Sequence, residues 1–446
     1  MQNPNPPSGP VDGPDWLAEA LVSLCAASAS IMAEIPNGLV SYQGLEEWYV
    51  DAEDKTLFRR RSPVAPMLAA SAQSAVESSP EWVTAMAALR ADTILGPLMD
   101  QLVGTALGAG IVQAQSLLHY AIGKALVVSD ASAAVAALLR EWRDELGADP
   151  VELTTIVIVA GIEPTEPVHL SQHVTTRQMT DVEVARALRV GGLPVMPGSG
   201  PIAWVHSRSC IAIQLQLGRV VGDVGRVGMA EAMSFYASLD ERIETALATL
   251  RLLRFGRVRE YARITYAGRG TSNFRVRGSG VMLGPSDPFD RSHEARGREL
   301  FTEVADALAH RPRLAVALRR FSGSHEPRHE EDRLLDLWIA MEALFSPDGT
   351  TEVAFRLALN AANSVDVPEV SRRELFEWVK RAYGVRSDLV HGRSPALRKV
   401  TRLHGGETPS ISEAADDLRE VVRIALLQFL FEPAAPDFTQ LALRDD

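Results

Sequence analysis

An arginine and a histidine five residues apart, Arg386 and His391, are the residue types in this sequence best suited to chemistry on a phosphate group. A guanidinium binds phosphate oxygens in a fixed fork geometry, and an imidazole exchanges protons near neutral pH. On one ideal helix a spacing of five residues separates the two side chains by roughly 140° around the axis. Gly392 predicts that the helix ends there. Either the end unwinds and His391 turns, or a second copy of the protein completes the pair.

The residues around this pair carry a positive charge. From Arg372 to Arg402 there are nine Lys or Arg residues and three acidic residues, a balance of +6, whereas the whole chain has a net charge of −12. A local excess of this kind favours phosphate binding, although the overall charge argues against a protein that coats nucleic acid. The cations that we predict to contact nucleic acid are Lys380, Arg381, Arg393 and Arg398.

The helix that we predict over residues 371–391 places Arg386 on its apolar stripe. The stripe residues follow one another at spacings of four, three, four and three: Leu375, Val379, Ala382, Arg386 and Leu389. An unpaired buried guanidinium costs several kcal/mol, so Arg386 needs a partner or a hydrated pocket. A purely structural interpretation therefore stays open, in which Arg386 forms a salt bridge with Glu342 and His391 caps the helix C-terminus.

Two segments, "LLDLWIAMEALFSPDGTTEVAFRLALNAA" and "VKRAYGVRSDLVHG", resemble the Apea-like branch of the HEPN domains (higher eukaryotes and prokaryotes nucleotide-binding). The resemblance covers roughly residues 295–432, about a third of the chain. The positions that match the pattern are Trp338, Glu342, Arg356, Tyr383, Arg386, Ser387, His391 and Gly392.

The resemblance implies an all-α bundle that pairs as a homodimer and, in many members, a metal-independent ribonuclease that uses no cofactor. His391 would then act as general acid and base, and Arg386 would stabilise the charge on the phosphate. The supporting residues would be Ser387, Glu342, Tyr383 and Trp338. The implied partner is RNA or a nucleotide. Two alternatives stay open, an adaptor that binds RNA or a nucleotide without cleaving it and a purely structural dimerisation module.

Other motifs predict chemistry less well. The segment His325–His329, "HEPRH", matches a zinc-protease pattern, but Pro327 would interrupt the helix that must hold both histidines. We expect an exposed loop there. His169 and His173 lie in a loop-like segment without nearby acidic or cysteine ligands. Eight arginines between residues 251 and 277 alternate with aromatic residues, which indicates either a nucleic-acid face or a polar sheet face.

Composition and patterning predict a multidomain protein with an α+β N-terminal and middle region followed by an all-α bundle. The two cysteines exclude a disulfide framework and fit a reducing, cytoplasmic setting. Polar residues interrupt the most apolar stretch, residues 94–118, which we interpret as a core helix and not as a membrane span. The predicted organisation is a disordered tail over 1–13, a mostly helical region over 14–150, an α+β region over 151–288, a bundle of five helical segments over 292–435 and a flexible tail over 436–446.

Overall fold

The computed structural model describes residues 15–432 with internal gaps, and both predicted tails lie outside the described residues. The gaps are 36–38, 41–45, 51–56, 62–66, 69, 106–107, 112, 127, 181–182, 185–207, 222–227, 256–257, 268–269, 277–286, 327–328, 347–352, 394–399 and 406–408. The described residues form helices throughout and an antiparallel sheet in the middle region. A mixed α+β architecture is therefore confirmed.

The N-terminal region contains five helices: α1 (Trp16–Glu34), α2 (Ala70–Glu77), α3 (Pro80–Ala91), α4 (Ala114–Ala125) and α5 (Ala131–Gly147). It also contains short strands: β1 (Leu39–Val40), β2 (Glu46–Val50), β3 (Leu57–Arg61), β4 (Met67–Leu68), β5 (Leu102–Thr105) and β6 (Gly108–Ile111). The helices share one hydrophobic core, in which Leu21, Leu89 and Leu118 are fully buried. The prediction of one helix over residues 94–118 is wrong. Gly104, Gly108 and Gly110 disfavour a helix, and the chain forms the β5–β6 hairpin instead.

Among the described helices, α1 alone has the length and the apolar composition to cross a membrane, with a mean hydropathy of 1.6. It packs against α3, α4 and α5, and it buries Leu17, Leu21 and Leu24 in the N-terminal core. A core helix makes the same contacts.

The middle region is built on a six-stranded antiparallel sheet with the order β14-β13-β7-β11-β10-β9. Its strands are β7 (Val151–Ala160), β9 (Val168–Ser171), β10 (Val174–Gln178), β11 (Ser209–Leu217), β13 (Arg259–Ala267) and β14 (Gly270–Val276), and the smaller strands are β8 (Ile162–Pro164), β12 (Val220–Val221) and β15 (Asp287–Phe289). Helix α6 (Gly228–Leu252) packs on one face, against Val157 and Val159. Ile156 and Ile158 belong to a second core on the other face, which explains the uninterrupted apolar run of β7.

A buried carboxylate, Glu183, joins two strands of this sheet. Arg177 of β10 donates two hydrogen bonds to it, each 2.7 Å long, and the Tyr266 hydroxyl of β13 donates a third of 2.7 Å. Burial by itself raises the pKa of Glu183, but Arg177, the Thr180 backbone N–H and Tyr266 together lower this pKa to about 2. The carboxylate therefore stays ionised inside the protein.

The structure corrects one interpretation of the middle region and bears on a second. His169 lies on β9 and His173 in the tight turn to β10, so this segment is a hairpin and not a loop. Period-two alternation over so few residues is too short to identify a strand. In the arginine-rich segment, Arg251 and Arg263 are buried, and Arg263 pairs with Glu260 and Asp240. These arginines are structural and do not form an open basic face.

Six helices form the C-terminal bundle: α7 (Glu294–His310), α8 (Pro312–Gly323), α9 (Glu330–Phe345), α10 (Val353–Ser364), α11 (Arg372–Val390) and α12 (Ile411–Phe431). The sequence predicted five helical segments and took Pro312 as an interruption. Pro312 instead starts α8, because proline suits the first helical position. The bundle core also includes Ala248 and Leu252 of α6.

Four arginines from four elements converge where α8 ends, and we name them the guanidinium cluster: Arg251 of α6, Arg259 of β13, Arg333 of α9 and Arg419 of α12. They bind backbone carbonyl groups at and just beyond the end of α8, some of which have no partner inside the helix. The cluster therefore fastens the sheet to the bundle.

Candidate functional site

The helix that carries Arg386 has a defined start and a defined end. Ser371 and Glu374 form a capping box at the start of α11. At the other end His391 is the C-cap residue, and Gly392 has a positive φ of 63°. The Gly392 N–H donates to Leu389 O at 3.1 Å, and the Arg393 N–H donates to Asp388 O at 2.8 Å. These two bonds are those of a Schellman motif, so the predicted helix end at Gly392 is confirmed.

Arg386 belongs to a polar network with Glu342 of α9. The guanidinium lies 3.2 Å from Glu342 Oε1, and the Tyr383 hydroxyl donates to the same oxygen at 3.0 Å. The Tyr383 ring contacts buried Trp338 edge-on at 5.3 Å, and the Arg386 guanidinium lies 5.5 Å from the Tyr383 ring centre. Burial and the Glu342 carboxylate raise the pKa of Tyr383, so its hydroxyl stays a donor at neutral pH. The salt bridge of the structural interpretation is therefore present.

Arg386 is less buried than its stripe position predicts. Its side chain is 28% exposed, whereas Val385, one residue earlier, is 3% exposed. The stripe leaves the core because the last turn of α11 lies at the edge of the bundle, where Val390 is 51% exposed. Val379 is fully buried inside this single chain. A substitution such as Val379→Asp would therefore disrupt the folding of the bundle, and its effect could not be assigned to dimer formation.

His391 is exposed at the end of α11. Lys380 and Arg381, within α11, and Arg393, just beyond it, are also exposed. These four side chains are open to solvent, as contact with RNA requires. Ser387 is half-buried one turn earlier, and its carbonyl accepts the His391 N–H at 3.2 Å.

One of the predicted cations is not described, and another of the nine cations counted in the sequence is paired. Arg398 lies outside the described residues. Arg402 pairs with Asp417 at 2.8 Å and with Glu413 at 3.3 Å, so neighbouring carboxylates balance its charge. The basic surface on the described part of the bundle is therefore smaller than the sequence count of nine cations indicates.

A groove of about 610 Å³ opens beside Tyr383, between α10 and α11. Phe355, Lys380 and Tyr383 line it, and Phe355 is 44% exposed. Phe355 meets Phe376 edge-on at 5.5 Å, which leaves an aromatic surface next to a cation. The sequence analysis missed this groove, although the pair Phe355-Arg356 on a polar helix face was a signal for it.

The zinc-protease pattern is not assembled on one helix. His325 follows α8 and is 2% exposed, so the expected exposed loop is wrong at this residue, whereas His329 is the N-cap of α9. His325 Nδ1 lies 2.9 Å from Phe321 O, and Pro327 lies outside the described residues. Within the described ranges no three His, Cys, Asp or Glu side chains are grouped to hold a metal ion.

No protein-family model, curated protein or solved structure matches this chain. The resemblance to the HEPN domains therefore rests on the residues of α9, α10 and α11 alone.

Proposed function

We propose that the C-terminal bundle binds RNA and cleaves it without a metal ion, with Arg386 and His391 as the reacting pair. The observation that carries this proposal is the placement of both residues at one helix end. A salt bridge to Glu342 holds the Arg386 guanidinium half-exposed, and the Schellman motif holds His391 in solvent at the C-cap, five residues later.

The chemistry that suits this pair is attack by the ribose 2′-hydroxyl on the adjacent phosphorus. A neutral His391 takes the 2′-hydroxyl proton, and the 2′-oxygen forms a bond to phosphorus. The bond from phosphorus to the 5′-oxygen breaks, and a protonated imidazole gives that oxygen its proton. Arg386 stabilises the extra negative charge on the phosphate oxygens. The products are a 2′,3′-cyclic phosphate and a 5′-hydroxyl.

The Glu342 network lowers the cost for Arg386 to exchange its salt bridge with Glu342 for a contact with a phosphate. In the free protein the carboxylate pairs with Arg386 and accepts a hydrogen bond from Tyr383. When a phosphate takes the guanidinium, the Tyr383 hydroxyl still satisfies Glu342. The exchange therefore leaves one carboxylate oxygen bonded, which lowers the cost of releasing Arg386.

The angular separation of Arg386 and His391 favours a site shared by two copies of the chain. His391 follows Arg386 by five residues, so on one helix the side chains point in different directions. A homodimer that brings two α11 ends together would put the Arg386 of one copy opposite the His391 of the other. We expect this pairing in solution.

The second candidate function is binding of RNA or a nucleotide without cleavage. The groove lined by Phe355, Lys380 and Tyr383 favours it, because an aromatic surface beside a cation holds an unpaired base and its phosphate. In either case we propose a cytoplasmic effector of a defence or toxin type, in which the N-terminal and middle regions sense a trigger.

The deciding experiment is cleavage of a mixed, labelled RNA pool by the purified full-length protein in the presence of EDTA. Wild type is compared with His391→Ala and with His404→Ala, a matched change at another exposed histidine of the bundle. Cleavage with cyclic phosphate ends by wild type and His404→Ala only would support the ribonuclease. RNA binding without cleavage, weakened by Arg386→Ala, would support the adaptor. Equal cleavage by all three proteins would exclude His391 from the reaction.

A further inference from the structure

We propose that the guanidinium cluster is a binding site for a small phosphate-bearing anion, held by Arg259 and Arg333 at the junction of the sheet and the bundle. Each of these arginines uses only its Nε. Arg259 Nε donates to His325 O at 3.0 Å, and Arg333 Nε donates to Ser324 O at 3.1 Å. The Nη groups of both side chains have no partner among the described residues. The other two arginines differ in this respect.

Arg251 and Arg419 are fully engaged. Arg251 donates to Val258 O, Ser322 O and Glu326 through all three of its nitrogens. Arg419 donates to Asp416 and to Ser324. The unused donors of the cluster therefore belong to Arg259 and Arg333.

The two guanidinium groups are anchored at adjacent residues, because their Nε atoms donate to the carbonyl groups of His325 and Ser324. The Cα atoms of Ser324 and His325 are about 3.8 Å apart across one peptide bond. A guanidinium presents its donors in one plane, and its two Nη groups match two oxygens of a phosphate. One tetrahedral anion in front of both forks would accept hydrogen bonds from Arg259 and Arg333 together.

The charge of the cluster also favours an anion. Two carboxylates, Glu326 and Asp416, form ion pairs with its four arginines. The Glu260 carboxylate also acts on Arg251, but it forms its ion pair with Arg263. The residues next in sequence, 256–257 and 327–328, are Gly, Arg, Pro and Arg and contribute no carboxylate. His325 adds no charge, because burial and the neighbouring arginines hold its pKa well below the ordinary value. Partly buried excess charge is unfavourable until a counter-ion is present.

The position of the forks favours a small ligand. Arg259 and Arg333 are half-buried between β13 and α9, where the backbone of a polymer has little access. An anion bound to both would cross-link the sheet to the bundle. The site is separate from Arg386 and His391, and it does not depend on the proposed ribonuclease.

The test is calorimetric titration of the full-length protein with pyrophosphate at physiological ionic strength. The variant Arg259→Gln/Arg333→Gln removes both forks, and Arg319→Gln is the control, since Arg319 is an exposed arginine that pairs with Glu244. We expect wild type and the control to bind alike and the double variant to bind roughly 10- to 100-fold more weakly, because charge-assisted hydrogen bonds are lost. Equal affinity of all three proteins, or no binding by wild type, would overturn the proposal.

If the double variant does not fold, a single variant provides a second test. Arg333→Lys keeps the charge and removes the fork, so it should bind pyrophosphate more weakly than wild type does; unchanged affinity would count against the site. Phosphate ions also stabilise proteins by exclusion from their surface, but that effect acts equally on every variant. Titration with ADP then separates ligand classes. Tighter binding than pyrophosphate would identify a nucleotide site, and equal binding would identify a site for the phosphates alone.

Discussion

Replacing Arg251 by methionine should loosen the junction between the sheet and the bundle. The Arg251 side chain is 2% exposed. It donates to Val258 O from Nε at 3.2 Å and from Nη2 at 3.0 Å, and to Ser322 O from Nη1 at 3.0 Å. Methionine fills most of the volume but removes these donors. Ser322 O still accepts the His325 N–H at 3.2 Å, so Val258 O is the carbonyl group that loses its donors.

The magnitude follows mainly from the Val258 carbonyl group. An unsatisfied buried acceptor costs about 1–3 kcal/mol. Glu326 adds little because its side chain is 36% exposed and can be hydrated. Relief of the desolvated guanidinium offsets part of the loss. We expect Arg251→Met to lower the free energy of unfolding by about 2 kcal/mol.

The assay is urea unfolding at neutral pH, followed by the total tryptophan fluorescence of the protein, to which Trp338 and Trp378, buried in the bundle, contribute. Arg254→Met is the matched control. Arg254 lies three residues later, is 68% exposed and pairs with Glu420, so its loss should cost at most about 1 kcal/mol. If Arg251→Met unfolds at the same urea concentration as the control, the Val258 carbonyl group is hydrated and the reasoning is wrong.

Three further predictions concern other parts of the chain. Glu183 has a folded pKa of about 2 against an ordinary 4.5. The ionised carboxylate therefore stabilises the protein by about 3 kcal/mol above pH 4.5, and this stabilisation is lost as the pH falls to 2. In unfolding curves, Glu183→Gln should remove the part of the acid dependence of stability that comes from Glu183. Phe355→Ala should weaken binding of single-stranded RNA by about 1–3 kcal/mol in a fluorescence titration. Phe431→Ala, at another half-exposed phenylalanine with a cation over its ring, should not. Gly392→Ala should destabilise α11 by about 1 kcal/mol because of its positive φ, whereas Gly384→Ala, in the open helix interior, should stabilise it by a similar amount in thermal unfolding.

The helices around the candidate site were predictable because local signals agree there. The capping-box pair Ser371 and Glu374 predicts the start of α11, and Gly392 predicts its end. The observed bounds of α11, Arg372–Val390, fall within one residue of the helix predicted over residues 371–391. Glu342 was also identified in advance as the structural partner of Arg386.

The features that sequence reasoning missed depend on contacts between distant residues. Glu183 and Tyr266 are 83 residues apart, and only strand pairing in the sheet brings them together. The guanidinium cluster draws one arginine from each of four elements, so no local spacing reveals it. The exposure of Arg386 depends on where the bundle ends, which periodicity along one helix does not report.

Because part of the bundle core comes from α6, recombination between genes can transfer the bundle intact only if α6 is transferred with it. Ala248 and Leu252 of α6 are packed into that core, and Arg251 between them bonds to the end of α8. A recombination event that fuses another protein sequence to this chain at residue 292 would remove Ala248, Arg251 and Leu252 from the bundle. The inherited unit that keeps its interior intact therefore starts at α6, and shuffling between proteins should respect that point.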